Sequence, residues 1–380
     1  MLLTAQSAAK ATPRLREASF DDYPQIAALQ SKNGMGGWDY EEWRHLWADN
    51  PAYPDVCDKW PIGWVLEVHG DIVAYKGNIP VPYELKGQRL IAGCGYSWVV
   101  ASPYRGYSIL LGAQYLRQKN AALCLSTSVG RAASNALIAL GALPVPVGKW
   151  DRSSVWITAY ISFVASWLAR KNSPLANVLS YPISAVLCAK DSIKNRLIRK
   201  EIHRSNFNSR IHWLERFDER FDSFWGTLRA EQPNTLLAVR SRAVLEWHFH
   251  YALRENRIWI ATINDGSRLC AYGIFLLERN LQDKERRIWL IDFQARIDKA
   301  LLFYPMLLEA LDRCRREGIH LLATIGLCPQ GVGDIGFLAP YHVHQRGWQY
   351  LYKACDRSLV QVLNNPEVWV PSLFDGDASI

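Results

Sequence analysis

Trp98-Val-Val-Ala-Ser-Pro-Tyr-Arg-Gly-Tyr-Ser-Ile-Leu-Leu111 passes from an apolar strand, through a Pro- and Gly-containing turn, into an apolar helix. A strand that feeds a helix through such a turn aims consecutive backbone N–H groups at one spot. The positive end of the helix lies at the same place. Arg105-Gly106 therefore reads as a nest for a pyrophosphate. Upstream, 90–100 reads as a long strand. Before it, 63–68 and 72–77 read as two strands joined by His69-Gly70-Asp71, a hairpin signal. At the start, 14–18 reads as a strand. Ser19 caps a helix carrying Ile26 and Leu29, and 39–47 is a second helix stopped by Asn50-Pro51. Downstream, a helix over 106–119, a buried strand over 121–126, a helix over 131–140 closed by Gly141, and a strand over 143–147 complete the unit.

The second half repeats this order. Trp43-Arg44-His45 is echoed by Trp247-His248-Phe249. The hairpin ending in Ala74-Tyr75 is echoed by one ending in Ala271-Tyr272. Strand 89–100 matches 287–297, and a helix over 300–317 and a strand over 320–325 follow. Echoes in one order at a nearly constant offset indicate duplication. The expected partition is a first domain over 14–150, a helical basic connector over 151–205 and a second domain over 206–380.

The chain has 380 residues, 49% hydrophobic, which suits two cores of ordinary size. Its net charge of +8 favours an anionic partner: a CoA phosphate, an acidic lipid surface or RNA. Lys190, Lys194, Arg196, Arg199, Lys200 and Arg204 concentrate part of it in the connector. That segment reads as a packed bridge, with a substrate lid and a membrane-surface helix as alternatives. Trp156, Phe163 and Trp167 beside Arg170 and Lys171 motivate the last. No run reaches the ~18 apolar residues of a bilayer span. Eight cysteines without a C-x-x-C pair read as reduced thiols of a cytoplasmic protein.

The order of elements and the stretch 98–111 resemble the GNAT (GCN5-related N-acetyltransferase) superfamily, whose acyl-CoA loop runs through Arg-Gly into a helix. The opening 15–29 is similar to that family's usual start, and Cys124 to Gly141 resembles its splayed fifth strand and following helix. The tail 369–377 resembles endings of acyltransferases from polysaccharide gene clusters. The resemblance implies an α/β fold of mixed sheets, as two tandem GNAT-like domains. It implies acetyl-CoA or another acyl-CoA as co-substrate, held by Val99, Val100, Arg105, Gly106, Tyr107, Ser108, Ile109 and Asn135. Two positions depart from the pattern. Leu110 stands where a small residue is usual, and Leu137 where the family often has a Tyr as general acid. Tyr96, Tyr104 and Tyr107 are the substitutes for that acid. Glu67 and Tyr96 are the candidates for the base that deprotonates an amine acceptor.

The second half lacks an Arg-Gly turn, since Asp298-Lys-Ala follows its long strand, and is expected not to bind CoA in the same way. His248-Phe-His250 and His342-Val-His344 read as strand histidines without the further ligands a metal requires. Gly331-Val-Gly333 lacks the strand–helix context of a dinucleotide fingerprint. The leading expectation is acyl transfer from acyl-CoA to an amine of a sugar, amino acid or small metabolite, without metal or DNA. The alternatives are a Fem-like transferase using charged tRNA and a non-catalytic GNAT-fold binding protein. The expected location is the cytoplasm, with a peripheral membrane contact through 155–204.

Overall fold

The computed structural model describes residues 12–36, 38–148, 150–170, 176–204, 210–279, 286–296, 301–326, 341–344 and 349–380. The chain opens with β1 (Arg14–Glu17), a 3-10 turn (Phe20–Asp22), α1 (Tyr23–Lys32) and α2 (Tyr40–Ala48). The Arg16 guanidinium donates to Asp22 at 2.7 and 2.8 Å, and Asp22 closes a capping box with Ser19. Asp39 caps α2, its carboxylate accepting the Glu42 N–H at 2.8 Å.

The hairpin β2 (Gly63–Val68) and β3 (Asp71–Leu85) turns through His69 and Gly70 at φ 52° and 89°, the left-handed pair that a two-residue turn requires. β4 (Gln88–Val100), a 3-10 turn (Ser102–Tyr107), α3 (Ser108–Leu116), β5 (Leu123–Val129), α4 (Arg131–Ala139) and β6 (Leu143–Pro144) follow. Gly141, at φ 91°, terminates α4 as its position predicts.

The middle of the chain holds β7 (Arg152–Ile157), α5 (Tyr160–Arg170) and α6 (Ala176–Arg204). The second half comprises β8 (Ile211–Leu214), α7 (Arg220–Glu231), β9 (Leu237–Ala238), α8 (Arg242–His248), α9 (His250–Arg254), β10 (Ile258–Asp265), β11 (Arg268–Leu277) and β12 (Arg287–Ala295). It ends in α10 (Phe303–Arg316), β13 (Leu321–Ile325), β14 (Tyr341–His344), β15 (Gln349–Ala354), α11 (Leu359–Leu363) and a tail of 3-10 turns.

Two mixed sheets result. The first runs β1-β2-β3-β4-β5-β15-β6, with β9 on β3. The second runs β14-β7-β13-β12-β11-β10-β8. The halves exchange strands. β15 comes from the end of the chain and fills the gap between β5 and β6. β7 comes from the middle and fills the matching gap between β13 and β14. The stretch expected to be a mainly helical connector thus starts with a strand before its two helices, and a strand of the expected second domain completes the first sheet. Burial explains why sequence reading treats β7 as connector. Val155, Trp156 and Ile157 are buried, and a fully covered strand reads as an apolar run without alternation.

Tyr75 and Tyr272 occupy equivalent places: each is fully buried, four residues into the second strand of its hairpin. The largest core cluster spans both halves, joining Trp47, Tyr75 and Ile79 to Phe249, Tyr272 and Trp369. α3 packs on the first sheet around Leu111 and Tyr115, and α10 on the second around Met306 and Leu311. His248 and His250 lie on α8 and α9, not on a strand, while His342 and His344 lie on β14. Gly331-Val-Gly333 lies outside the described residues.

Candidate functional site

β4 and β5 run parallel and pair only where Ala92–Cys94 face Leu123–Leu125. Beyond that point β4 continues to Val100 and β5 to Val129, and β5 is held from its other side by β15. The two strands therefore part as a wedge. At the mouth β4 bulges. Tyr96 pairs with Gly77 and Val99 with Tyr75, so Ser97 and Trp98 together oppose the single residue Lys76. Ser97 takes φ 45°, uncommon for a residue with a side chain, and the Gln30 side chain on α1 donates to its hydroxyl at 2.5 Å. Strain of this kind, on the order of 1–3 kcal/mol, collects where a site is built.

Three ionisable groups surround the wedge. The Lys76 side chain is buried, with its ammonium 4.3 Å from the Tyr115 ring centre and 4.8 Å from that of Trp98. Among the described residues no carboxylate comes within 4.0 Å of it. Burial lowers its pKa to about 8. Gly95 makes the room, since a Cβ there would stand 2.8 Å from Lys76 Nζ.

Asp377 arrives from the tail. Its carboxylate accepts the Thr127 and Ser128 hydroxyls at 2.9 and 3.0 Å, and burial raises its pKa above the usual carboxylate value. A Cβ on Gly376 would lie 1.9 Å from the Thr127 hydroxyl oxygen, so glycine is what lets the tail lie against β5. Tyr96 packs against Trp38 and Trp47. Burial, with Asp377 nearby, holds its hydroxyl well above the ordinary phenol range. Around the wedge thus stand a phenol that stays protonated, on the Trp38 and Trp47 side, a lysine that gives up its proton readily, on the Tyr115 and Trp98 side, and a carboxyl on β5 that takes up protons readily. Acid–base transfer uses such a set.

The residues singled out from sequence fall in separate places. Val99 is buried in the ladder and Val100 pairs with Ala74. Arg105, Gly106 and Ile109 are exposed, and Tyr107 and Ser108 half-buried. The loop that carries them is a tightened 3-10 turn in which the Ser108 N–H donates back to the Arg105 carbonyl. Asn135 is exposed on α4. Leu137 is buried, and Tyr104 and Tyr107 pack against the α3 cluster.

Glu67 accepts from Arg16 at 2.6 Å. It pairs with Ile72 near the hairpin turn, whereas Gly63, four residues away on β2, is the residue in line with Gly77 and Tyr96. Four strand residues span about 13 Å. Glu67 and Tyr96 are not brought together: Glu67 is engaged by Arg16, and Tyr96 stands at the wedge beside Trp38. Sequence reasoning missed Lys76 and Asp377. The first has a signal, a lysine inside the apolar run 72–79, and the second has none before the tail is placed.

The second half has the same wedge in outline, with β12 and β13 paired only at Arg287–Trp289 against Leu321–Ala323. Its chemistry is closed. Gly273 follows Tyr272 as Lys76 follows Tyr75, and Met306 fills the space, its sulphur 2.5 Å from where a Cβ would be. Arg240 donates to Asp292 at 2.7 Å and reaches Asp375 at 3.4 Å, while the Tyr272 hydroxyl donates to Asp292 at 3.1 Å, all buried.

Between the halves lies a cavity of about 320 Å³, walled by Trp38, Glu42 and His45 on one side and Tyr251, Trp289 and Ile291 on the other. Arg279 spans it, donating to Glu42 at 2.5 Å and to Glu255. Trp38 is both a wall of this cavity and a ring neighbour of Tyr96 at 6.1 Å, so cavity and wedge adjoin. Among the described residues no group of three or more His, Cys, Asp or Glu side chains could hold a metal ion.

The structure is similar to a GCN5-related N-acetyltransferase from Anabaena variabilis, with 13% identity, 91% of this chain and 73% of that chain covered, and a TM-score of 0.52. It is also similar to N-myristoyltransferase from Saccharomyces cerevisiae with bound myristoyl-CoA, at 10% identity, 91% and 80% coverage and a TM-score of 0.54. A GCN5-related N-acetyltransferase from Kribbella flavida matches at 12% identity, 90% and 71% coverage and a TM-score of 0.53. No family model and no curated protein matches the sequence. At these identities the likeness is one of fold: the chain has the GNAT fold, in two halves.

Proposed function

We propose that this chain, built on the GNAT fold, transfers an acyl group from acyl-CoA to the amine of a sugar, amino acid or small metabolite, at the wedge of its first half. The observation that carries this reading is the parting of β4 and β5 around Lys76, Tyr96 and Asp377, in the half whose strand leads through Arg105-Gly106 into α3. Bound acyl-CoA supplies an activated thioester. The exposed Arg105 and the start of α3 offer positive charge to its phosphates. Ser97 and Trp98, released from the ladder by the bulge, line the place for the thioester carbonyl.

Asp377 accepts the proton that the amine loses as its nitrogen forms the C–N bond. The C–S bond breaks, and the departing sulphur takes a proton from Tyr96. The proton balance closes when Asp377 returns its proton through solvent to Tyr96. The cavity between the halves holds the acceptor, with Glu42, shared with Arg279, and Glu278 among the hydrogen-bond acceptors that line it. The tRNA-dependent alternative calls for a basic groove along the wedge. The basic run instead lies on α6, whose hairpin with α5 packs on β7 and β13.

A thermal-shift series with acetyl-CoA, longer acyl-CoAs and charged tRNA, followed by thiol release with amine acceptors, tests the reading. Stabilisation by CoA esters with acceptor-dependent thiol release supports it. Stabilisation by charged tRNA alone overturns it in favour of the aminoacyl route, and CoA binding without turnover in favour of a binding protein.

A further inference from the structure

The α5–α6 hairpin is basic in sequence and carries exposed apolar side chains. Residues 170–204 hold eight basic residues against the two acids Asp191 and Glu201, a net +6 of the chain's +8. Among the described residues seventeen large hydrophobic side chains are exposed. Eight of them, Ile161, Trp167, Val178, Leu179, Tyr181, Ile183, Val186 and Ile193, fall in this hairpin. A patch of that kind on one element is more than the scattered exposure of an ordinary surface.

One stripe of α6 is set apart from the rest of the helix surface. Ser180 and Ser184 are buried and Leu187 and Asp191 half-buried, at helical spacing, and this stripe meets the protein. Asp191 accepts the hydroxyls of Tyr160 and Tyr341 at 2.9 and 3.2 Å, which fixes the helix on β14 and α5. The opposite face repeats Leu179, Val186 and Ile193 every seven residues, with Val178 beside them. Along the helix, apolar residues dominate up to Leu187 and basic ones from Lys190 onward. The inner side of the hairpin packs in a cluster that includes Trp289, a wall of the cavity between the halves.

We infer that this face of the α5–α6 hairpin binds an anionic lipid surface, lying in the interface without crossing it. Charge complementarity selects this occupant. A second copy joined through the same face would set +6 against +6, whereas a bilayer with acidic headgroups attracts the basic end and accepts the apolar row. Among the described residues no helix is long and apolar enough to cross a membrane. The inference does not depend on acyl transfer and is tested without it.

Co-sedimentation of the full chain with phosphatidylcholine vesicles, with and without phosphatidylglycerol, decides the matter. The expected result is binding to the anionic vesicles only, reduced at least about tenfold when salt rises from about 0.1 M to about 0.5 M. Val186→Asp with Ile193→Asp lowers partition at least about tenfold, and Arg196→Glu at least about fivefold, with unchanged melting temperature because these side chains are exposed. Equal binding to neutral vesicles, or no binding to either, overturns the inference. So does a dimer in light scattering that Val186→Asp dissolves, because a second copy then covers the face.

Discussion

His45 and Trp247 hydrogen-bond to each other's main chain. The Trp247 indole donates to the His45 carbonyl, and His45 Nε2 meets the Trp247 carbonyl, both at 3.0 Å. These residues belong to the two echoed Trp-containing motifs of the sequence, so the duplicated segments meet across the centre of the molecule. With the exchange of β7 and β15, this contact makes each half part of the other's structure.

The first half is therefore not expected to fold by itself. A fragment spanning 12–148 lacks β15, leaving β5 with an open edge and Leu351 and Tyr352 missing from between β5 and β6. An unpaired, largely apolar edge strand is prone to aggregate. Circular dichroism and sedimentation of the fragment should show an aggregated or unfolded chain. Cooperative melting of soluble monomer would count against interdependence of the halves.

Replacing Gly106 by Val should weaken acyl-CoA binding about tenfold, within the roughly 1–3 kcal/mol that loss of good polar contacts costs. Apart from Gly106 and its two chain neighbours, no protein atom lies within 4 Å of where a Cβ on Gly106 would stand, so the fold tolerates the change and the effect falls on the ligand. Isothermal titration reads it. Wild-type affinity in the variant places the phosphates elsewhere.

Asp377→Asn should lower kcat by about 10²- to 10⁴-fold, the usual worth of a positioned general base, while leaving CoA affinity intact. Because burial raises the Asp377 pKa, the acid limb of the wild-type pH profile should sit above the ordinary carboxylate range and vanish in the variant. Wild-type turnover in Asp377→Asn removes this residue from the proton path.

Lys76→Met should stabilise the protein. The lysine titrates near 10.5 when unfolded and at about 8 when folded. Between these values the unfolded chain holds the extra proton, so stability rises with pH across the window and the burial penalty is complete below pH 8. Removing the charge should add at most about 3 kcal/mol at pH 7, with the gain fading towards pH 10.5. Met306 in the equivalent space of the second half shows that a thioether side chain suits such a site. Urea unfolding at the two pH values measures the difference. A destabilised variant at pH 7 would show that the ammonium is held more favourably than its burial implies.

The sequence alone determined what depends on neighbours along the chain. Apolar runs and turn glycines located both hairpins, the second helix near 39–47, the end of α4 at Gly141 and the strand-to-helix passage at 98–111. The constant order of echoes made the duplication visible, and a reader could place Tyr75 and Tyr272 in matching strands. Only the tertiary structure decided what depends on distant segments. Strand exchange leaves no local mark, because a strand buried on both faces looks the same whichever sheet receives it. Glu67 looked free until folding set it against Arg16, and Asp377 looked like part of a tail until Gly376 let it reach Thr127, 250 positions away. Lys76 acquired its lowered pKa only when the rings of Tyr115 and Trp98 closed over it, since desolvation is a property of the assembled core and not of any stretch of residues.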